Sequence, residues 1–247
     1  MASGHTGRPG QQPNAKEVGP LRIIDLTLGY SHGMPAYGTA WYSQVEIRPL
    51  MTPETDPTGH GRRFSQFVFN PHNATHVDAP SHFVPGGKNV SDLEPDRFIG
   101  PALVLDLTHR GLYEPVTADD LEAAAGGRMR PGLRLLLRTD YVDRHWGDPD
   151  FWQKPPYLAP SAADWCVEQG AALVGLDFLT EEPGDRDFPV HRRLLEADIP
   201  ILEYLRNLKA LRGPIVWLMA APMLVEGAEA APVRALAVEG GVPYGDG

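Results

Sequence analysis

The chain has 247 residues, 42% of them hydrophobic and 22% charged, a composition ordinary for a globular protein and long enough to bury a core without disulfides. A formal net charge of −10, with no Lys/Arg run, argues against nucleic acid and against an anionic membrane surface as partners. The single cysteine, Cys166, excludes an intrachain disulfide, and no apolar stretch approaches the length of a membrane-spanning helix.

Residues 1–19 are polar and rich in Gly and Pro, without the apolar core of a signal peptide. They are expected to be a disordered tail, and the protein to be cytoplasmic. Leu21–Leu28 reads as a first strand, followed by a Gly/Pro-containing loop over 29–40 and a strand-like alternation over Trp41–Ile47. Phe64–Phe69 is an apolar strand candidate that runs into a histidine cluster bracketed by Pro71 and Pro80. The prolines disfavour one helix through the cluster, and in an extended chain His76 and Asp78 point to the same face. Ser91-Asp92-Leu93-Glu94 has capping-box spacing for a short helix, and Ala102–Leu107 reads as a buried strand. Thr117 opens a helix that Gly126-Gly127 stops after Ala125, and Leu133–Arg138 is the next strand. An irregular loop is expected over 140–160, then a helix capped by Ser161-Ala-Ala-Asp164 and ending near Gly170. Ala171–Asp177 is a strand and His191–Ala197 a short helix, with further strands at Ile199–Tyr204, Ile215–Ala220 and Val233–Val238. Strands outnumber helices, but helices recur between them in the second half, which predicts a mixed α/β fold in one domain over 20–247.

The chemistry concentrates in one place. Three of the nine histidines fall within His72-Asn-Ala-Thr-His76-Val-Asp78-Ala-Pro-Ser-His82. Imidazole nitrogen and carboxylate oxygen are ligands that Zn²⁺ and related ions prefer, and three ligands so close in sequence can converge on an ion while leaving a position open for chemistry. Burying these groups without such a partner would be costly. Asp78 has a second reading as a turn cap before Ala79-Pro80. His191 alone would serve as a surface helix residue. Glu203 lies in the apolar run PILEYL, where a carboxylate is either turned to solvent or paired with a cation. His32, His60, His109 and His145 lack ligand-like neighbours. Arg62, Arg63, Arg192 and Arg193 read as solvated charges, and Arg234 is available for a substrate carboxylate. Cys166 reads as a small buried hydrophobe. No nucleophile elbow, P-loop, dinucleotide fingerprint or H-E-x-x-H motif occurs.

HNATHVDAPSH resembles H-x-G-[TA]-H-x-D-x-P-x-H, the signature of the metal-dependent cyclase family that includes kynurenine formamidase and isatin hydrolase. IIDLTLGYSHGMPAYG, VGLDFLTEE, VHRRLLEADIPILEYLRNL and APVRALAV resemble other segments of that family, so the resemblance covers roughly residues 20–240. It implies a swivelling β/β/α fold, a mixed sheet with few helices, and a homodimer or homotetramer. It implies that His72, His76 and Asp78 hold a first metal, that Asp78 bridges to a second held by His191 and Glu203, and that His82 is the acid/base catalyst. Two positions depart from the pattern. Ala74 replaces the family's Gly, and Gly175–Glu182 lacks the Pro-Ser pair of the formamidases, so the resemblance does not extend to N-formylkynurenine as substrate.

The function expected is hydrolysis of a C–N amide bond in a small aryl formamide or lactam. A divalent ion, Zn²⁺ first and Mn²⁺ second, with one or two per subunit, would make hydroxide from water at neutral pH, and His82 would move the proton to the leaving nitrogen. The alternative is a cyclase or lyase that uses the same Lewis acid on a carbonyl intermediate of secondary metabolism.

Overall fold

The computed structural model describes residues 20–39 and 42–240. The tail expected at 1–19 lies outside the described residues, as does Trp41 at the start of the expected second strand.

In chain order the strands are β1 (Arg22–Asp25), β2 (Glu46–Met51), β3 (Phe64–Val68), β4 (His76–Asp78), β5 (Ile99–Asp106), β6 (Pro115–Val116), β7 (Arg134–Arg138), β8 (Tyr157–Leu158), β9 (Leu173–Leu176), β10 (Ile201–Glu203), β11 (Ile215–Met219), β12 (Ala230–Pro232) and β13 (Leu236–Glu239). The α-helices are α1 (Ala118–Ala125), α2 (Tyr141–His145), α3 (Pro160–Glu168) and α4 (Pro189–Glu196). Nine strands form one mixed sheet in the order β1-β13-β11-β5-β7-β9-β10-β4-β12. Its middle, β5-β7-β9-β10, is parallel, and the other pairings are antiparallel.

The central strands are apolar through their middles because both faces are covered, with charged residues only at the ends of β5, β7 and β10. Leu103, Leu105, Leu135, Leu137, Val174, Leu176 and Ile201 point into the core shared with the helices. Their alternates Ala102, Leu136, Leu173 and Leu202 point into a second core on the opposite face. This two-residue alternation governs the functional site as well. Val77 of β4 belongs with Leu202 in the second core, so His76 and Asp78 face the helical side, as does Glu203 two residues after Ile201.

Local signals account for several element ends. Thr117 caps α1 in a reciprocal box with Asp120, and Gly126 ends it in the left-handed conformation at φ 53°. Other expectations needed correction. The capping box near residue 90 is Asn89 with Asp92, not Ser91 with Glu94, and it opens a single 3₁₀ turn, Val90–Asp92. The stretch 140–160 is not one loop: it contains α2 and β8. Helix α3 starts at Pro160 behind Ala159, because proline fills the first helical position where no N–H is needed, and Asp164 instead pairs with Arg193 at 2.6 Å. The expected strand Val233–Val238 is shortened: Val233 forms an isolated bridge to Pro222, and the strand proper, β13, begins at Leu236 and pairs with β1 and β11. Strands β2 and β3 form a separate hairpin whose side chains are largely exposed, Phe64 and Phe67 by 54% and 64%. Among the described residues no helix is long and apolar enough to cross a membrane.

Candidate metal centre

The ladder between β4 and β10 brings the first donors together: their antiparallel register sets Glu203 opposite His76 and Ile201 opposite Asp78. His72 comes from the turn before β4, and His82 from the 3₁₀ turn Pro80–His82 just after it. His191 comes from the first turn of α4, which packs on the same face. The turn before β4 is fixed by Thr75. Its hydroxyl donates to the Tyr204 carbonyl at 2.7 Å and accepts from the Leu28 amide at 2.7 Å. Ala74, where the family has Gly, is buried and absent from the positive-φ residues, so this turn does not require glycine.

The donor atoms converge closely. His72 Nδ1 and His76 Nε2 lie 2.9 Å and 3.2 Å from Asp78 Oδ1 and 3.2 Å from each other. Donors bound to one Zn²⁺ at about 2.0–2.1 Å in tetrahedral geometry stand roughly 3.3 Å apart, so this trio has the spacing of a ligand set. The other carboxylate oxygen, Asp78 Oδ2, faces His191 Nε2 at 3.6 Å, and His191 Nε2 is 3.4 Å from Glu203 Oε1. Glu203 Oε2 lies 3.6 Å from His76 Nε2. Potential ligand groups also include His72, Asp78 and His82 together, so His82 is within reach of the same space.

Both Asp78 oxygens are buried and lack a hydrogen bond of proper geometry, although ring nitrogens surround them. An ionised carboxylate left in that state is costly, and lone pairs aimed at a common centre fit a divalent cation. The far nitrogens of the rings are engaged elsewhere. His76 Nδ1 donates to the Ala74 carbonyl at 2.7 Å, His191 Nδ1 to Glu181 Oε1 at 3.0 Å, and His72 Nε2 faces Glu229 Oε1 at 3.4 Å. Such bonds fix the tautomer and leave the inward nitrogen as a donor of electrons. Among the described residues, neither ring nitrogen of His82 makes a comparable bond.

Electrostatics agree with a cation-seeking site. Burial opposes charge on His72, but Asp78 and Glu229 outweigh it and push its pKa up to about 10. Burial likewise opposes charge on His191, which Asp78, Glu181 and Glu203 raise well above the usual range. Asp78 is held low against its burial by His72, His76 and His82, and Glu203 is held low against its burial chiefly by His191. Carboxylates that draw protons onto these rings would also draw a divalent ion, which competes for the same lone pairs. His82 moves the other way: burial, joined by the repulsion of His72 and His191 and opposed by Asp78, lowers its pKa. A neutral imidazole at neutral pH is suited to accept a proton.

Asp78, His72, His82, His191 and Glu203 line a cavity of about 150 Å³ whose other walls include Tyr37, Tyr42, Phe83, Trp152, Phe188 and Tyr204. An apolar cavity of about 150 Å³ accommodates one benzene ring. Trp152 Nε1 donates to the Tyr204 hydroxyl at 3.3 Å, tying two of these walls together.

All six candidate residues from the sequence therefore lie around one cavity or within ligand distance of its lining. Glu203 is mostly buried beside two histidines rather than turned to solvent, and His191 is buried rather than a surface helix residue. Arg234 does not approach the cavity; it pairs with Asp25 at 2.6 Å, and Arg62 braces the buried Asp56 rather than standing free in solvent. Sequence reasoning missed Glu181, Glu229 and Thr180, whose hydroxyl donates to Glu203 Oε1. No spacing rule links them to the histidines; the only local signal was the departure of 178–182 from the family pattern.

A buried His/Asp/Glu donor set lining an aromatic cavity defines the class: a candidate site for a divalent metal beside a small-molecule pocket. Comparison with known proteins supplies the family. Residues 24–183 match the model of the Cyclase family, described as "Putative cyclase", and the chain belongs to that family. It is 32% identical to kynurenine formamidase of Bacillus cereus over 166 residues, which is 67% of this chain and 75% of that protein. Among solved structures it is similar to isatin hydrolase A from Ralstonia solanacearum, with 26% identity, a TM-score of 0.76, and coverage of 89% of this chain and 92% of that one. It is also similar to a structure described as a "predicted metal-dependent hydrolase" from Bacillus stearothermophilus, at 27% identity and a TM-score of 0.71, covering 89% and 98% of the two chains. The mixed α/β architecture with few helices expected from the sequence is thus that of the family's solved structures.

Proposed function

We propose that this chain is a metal-dependent amidohydrolase that cleaves the C–N bond of a small aryl formamide or lactam. The observation that carries the reading is Asp78. Its two buried oxygens lack hydrogen bonds and face opposite halves of a histidine cluster at the base of an aryl-sized cavity. The activities named for the formamidase and isatin hydrolase relatives support the same bond type.

In this reading His72, His76 and Asp78 would hold one ion, and Asp78, His191 and Glu203 would hold a second. Zn²⁺ is the ion that the imidazole donors favour, and the carboxylate oxygens of Asp78 and Glu203 make Mn²⁺ the second choice. A bound divalent ion supplies Lewis acidity, making water more acidic and stabilising negative charge that develops on a carbonyl oxygen. The protein's own part is to bind and to move the proton. Tyr37, Tyr42 and Trp152 enclose the aryl ring and exclude bulk water. His82, neutral and in the wall, takes the proton of the attacking water and returns it to the departing nitrogen.

Residues 20–247 act as one catalytic domain in the cytoplasm, and the working form is a homodimer or homotetramer. The exposed apolar side chains of the β2–β3 hairpin, Leu50, Phe64 and Phe67, support an association surface. The test is incubation of Zn²⁺-loaded protein with formanilide and with isatin, followed by mass spectrometry. Hydrolysis splits formanilide into aniline and formate and adds the mass of one water to isatin. No turnover of either, or an isomeric product of unchanged mass from a carbonyl substrate, would overturn the reading in favour of a cyclase.

A further inference from the structure

We propose that Glu181 is the positioning residue of the second half of the metal centre: one carboxylate both caps helix α4 and locks the imidazole of His191 in its ligating orientation. The inference rests on the two-ion reading above and concerns how this chain builds the second set of ligands.

Helix α4 begins without an ordinary cap. Phe188 stands before it in the left-handed conformation at φ 50°, and its side chain makes no cap hydrogen bond. Pro189 occupies the first position and has no N–H to satisfy. The first two amide donors, Val190 and His191, turn instead to Glu181. The His191 amide donates to Oε1 at 2.8 Å, and the Val190 amide reaches Oε2 at 3.5 Å. A carboxylate from a separate loop thus supplies the negative charge favoured at a helix N-terminus.

The same Oε1 accepts from the His191 ring at Nδ1, 3.0 Å away. The backbone and the ring of one residue are therefore held by one oxygen, which fixes the χ angles of His191 as well as its position. With the proton at Nδ1, the lone pair at Nε2 points inward, 3.4 Å from Glu203 Oε1 and 3.6 Å from Asp78 Oδ2. The Glu181 side chain is 10% exposed, so this contact is shielded from water. The equivalent acceptors of the other rings are weaker in charge or in burial. His76 uses the neutral Ala74 carbonyl, and the Glu229 carboxylate facing His72 is 45% exposed at 3.4 Å. An anionic acceptor on the far nitrogen makes the ligating nitrogen more basic and resists ring rotation. Glu181 falls in the segment 178–182 that lacks the family's Pro-Ser pair, so this arrangement belongs to the part of the site where the chain departs from the pattern.

The experiment is Zn²⁺ titration of chelator-stripped protein against a chromophoric competitor for wild type, Glu181→Gln and Glu181→Ala, with thermal melts of each in excess chelator. Wild type should take two ions. In Glu181→Ala one ion should keep its wild-type affinity while the other weakens by about 10–100-fold. Glu181→Gln keeps an oxygen for the helix amides but not the charge, and should fall between. If Glu181→Ala does not fold, Glu181→Gln carries the test, supported by the His191 Nδ1–H resonance in the Zn²⁺-loaded protein, which should exchange faster than in wild type. Two ions bound with wild-type affinity in the variants would overturn the proposal. So would equal weakening of both ions with a lower melting temperature in chelator, which would mark Glu181 as a general packing residue. A wild-type protein that takes one ion would overturn this proposal and the two-ion reading together. Failure of amide hydrolysis would leave the titration result standing on its own.

Discussion

Replacing Thr75 with valine tests how the turn before β4 is held. The substitution keeps the shape of the side chain and removes only the hydroxyl. That hydroxyl is fully buried, accepts from Leu28 N–H and donates to the Tyr204 carbonyl, both at 2.7 Å. Valine would leave both backbone groups buried and unpaired, each costing about 1–3 kcal/mol, so the expected loss is about 2–6 kcal/mol. Tyr204 is itself in the left-handed region at φ 54°, uncommon for an aromatic residue, so its carbonyl needs that partner to stay in place. For a chain of this size a loss of 1 kcal/mol lowers the melting temperature by about 2–4 °C, so the drop should be at least about 4 °C. The comparison is Thr75→Ser, which keeps the hydroxyl and loses one methyl group, costing about 1 kcal/mol. Urea unfolding of the three proteins at one saturating Zn²⁺ concentration reads the difference. Val and Ser variants that unfold within about 0.5 kcal/mol of each other would refute the reasoning.

Asp78→Ala removes the ligand common to both halves of the centre, and elemental analysis should find neither ion; retention of one full equivalent would show that Asp78 is dispensable. His82→Ala should lower turnover by about 10²–10⁴-fold with metal content unchanged, while loss of metal would make His82 a ligand. Among the described residues the cavity wall carries Glu182 and Asp185 and no Lys or Arg, so a 4-carboxyformanilide should be a poorer substrate than neutral formanilide, chiefly through KM; equal KM values would refute this. Burial pushes the Asp177 carboxyl up to about 7 against hydrogen bonds from Thr139 and Asp140 that favour its ionised form. A carboxyl whose pKa is raised on folding gives stability that is complete below its unfolded value and lost as pH rises through the folded one. Between about pH 4 and 8 the wild type should therefore lose stability relative to Asp177→Asn, by at most about 4 kcal/mol, and parallel pH profiles of the two would count against it.

The regular parts of the fold were legible where one local rule dominated. The helix Ala118–Ala125 has its start and stop written in Thr117, Asp120 and Gly126, because capping geometry is set by neighbours in the chain. The parallel strands β5, β7 and β9 were legible as short apolar runs, because a sheet covered on both faces has no polar side to interrupt them. In the hairpin β2–β3 the strand expected at Phe64–Phe69 was legible and is β3, but the exposure of Phe64 and Phe67 was not, because apolar periodicity does not say which face of a strand is covered. The late start of the strand expected at Val233–Val238 was equally hidden, since its partner β1 lies at the other end of the chain.

The site shows the same boundary between local and tertiary information. His72, His76, Asp78 and His82 occupy one short segment, so strand alternation alone places His76 and Asp78 on a common face. Glu203 was ambiguous because nothing in PILEYL says what lies across the ladder. The β4–β10 register resolves it, setting Glu203 opposite His76. Once both carboxylates share a face with three imidazoles, each group's orientation depends on acceptors supplied from elsewhere. Those acceptors, Glu181 and Glu229, lie 10 and 157 residues from the rings they meet, without a recurring spacing. Ligands can be read from a motif because the ion constrains their chemistry. The residues that hold the ligands need only be acceptors at the right place, and a backbone carbonyl serves His76 where a carboxylate serves His191. The motif therefore reaches the candidate donors His72, His76 and Asp78 before it reaches what orients them, and Glu181 of the segment 178–182 becomes visible only once α4 is packed against β4 and β10.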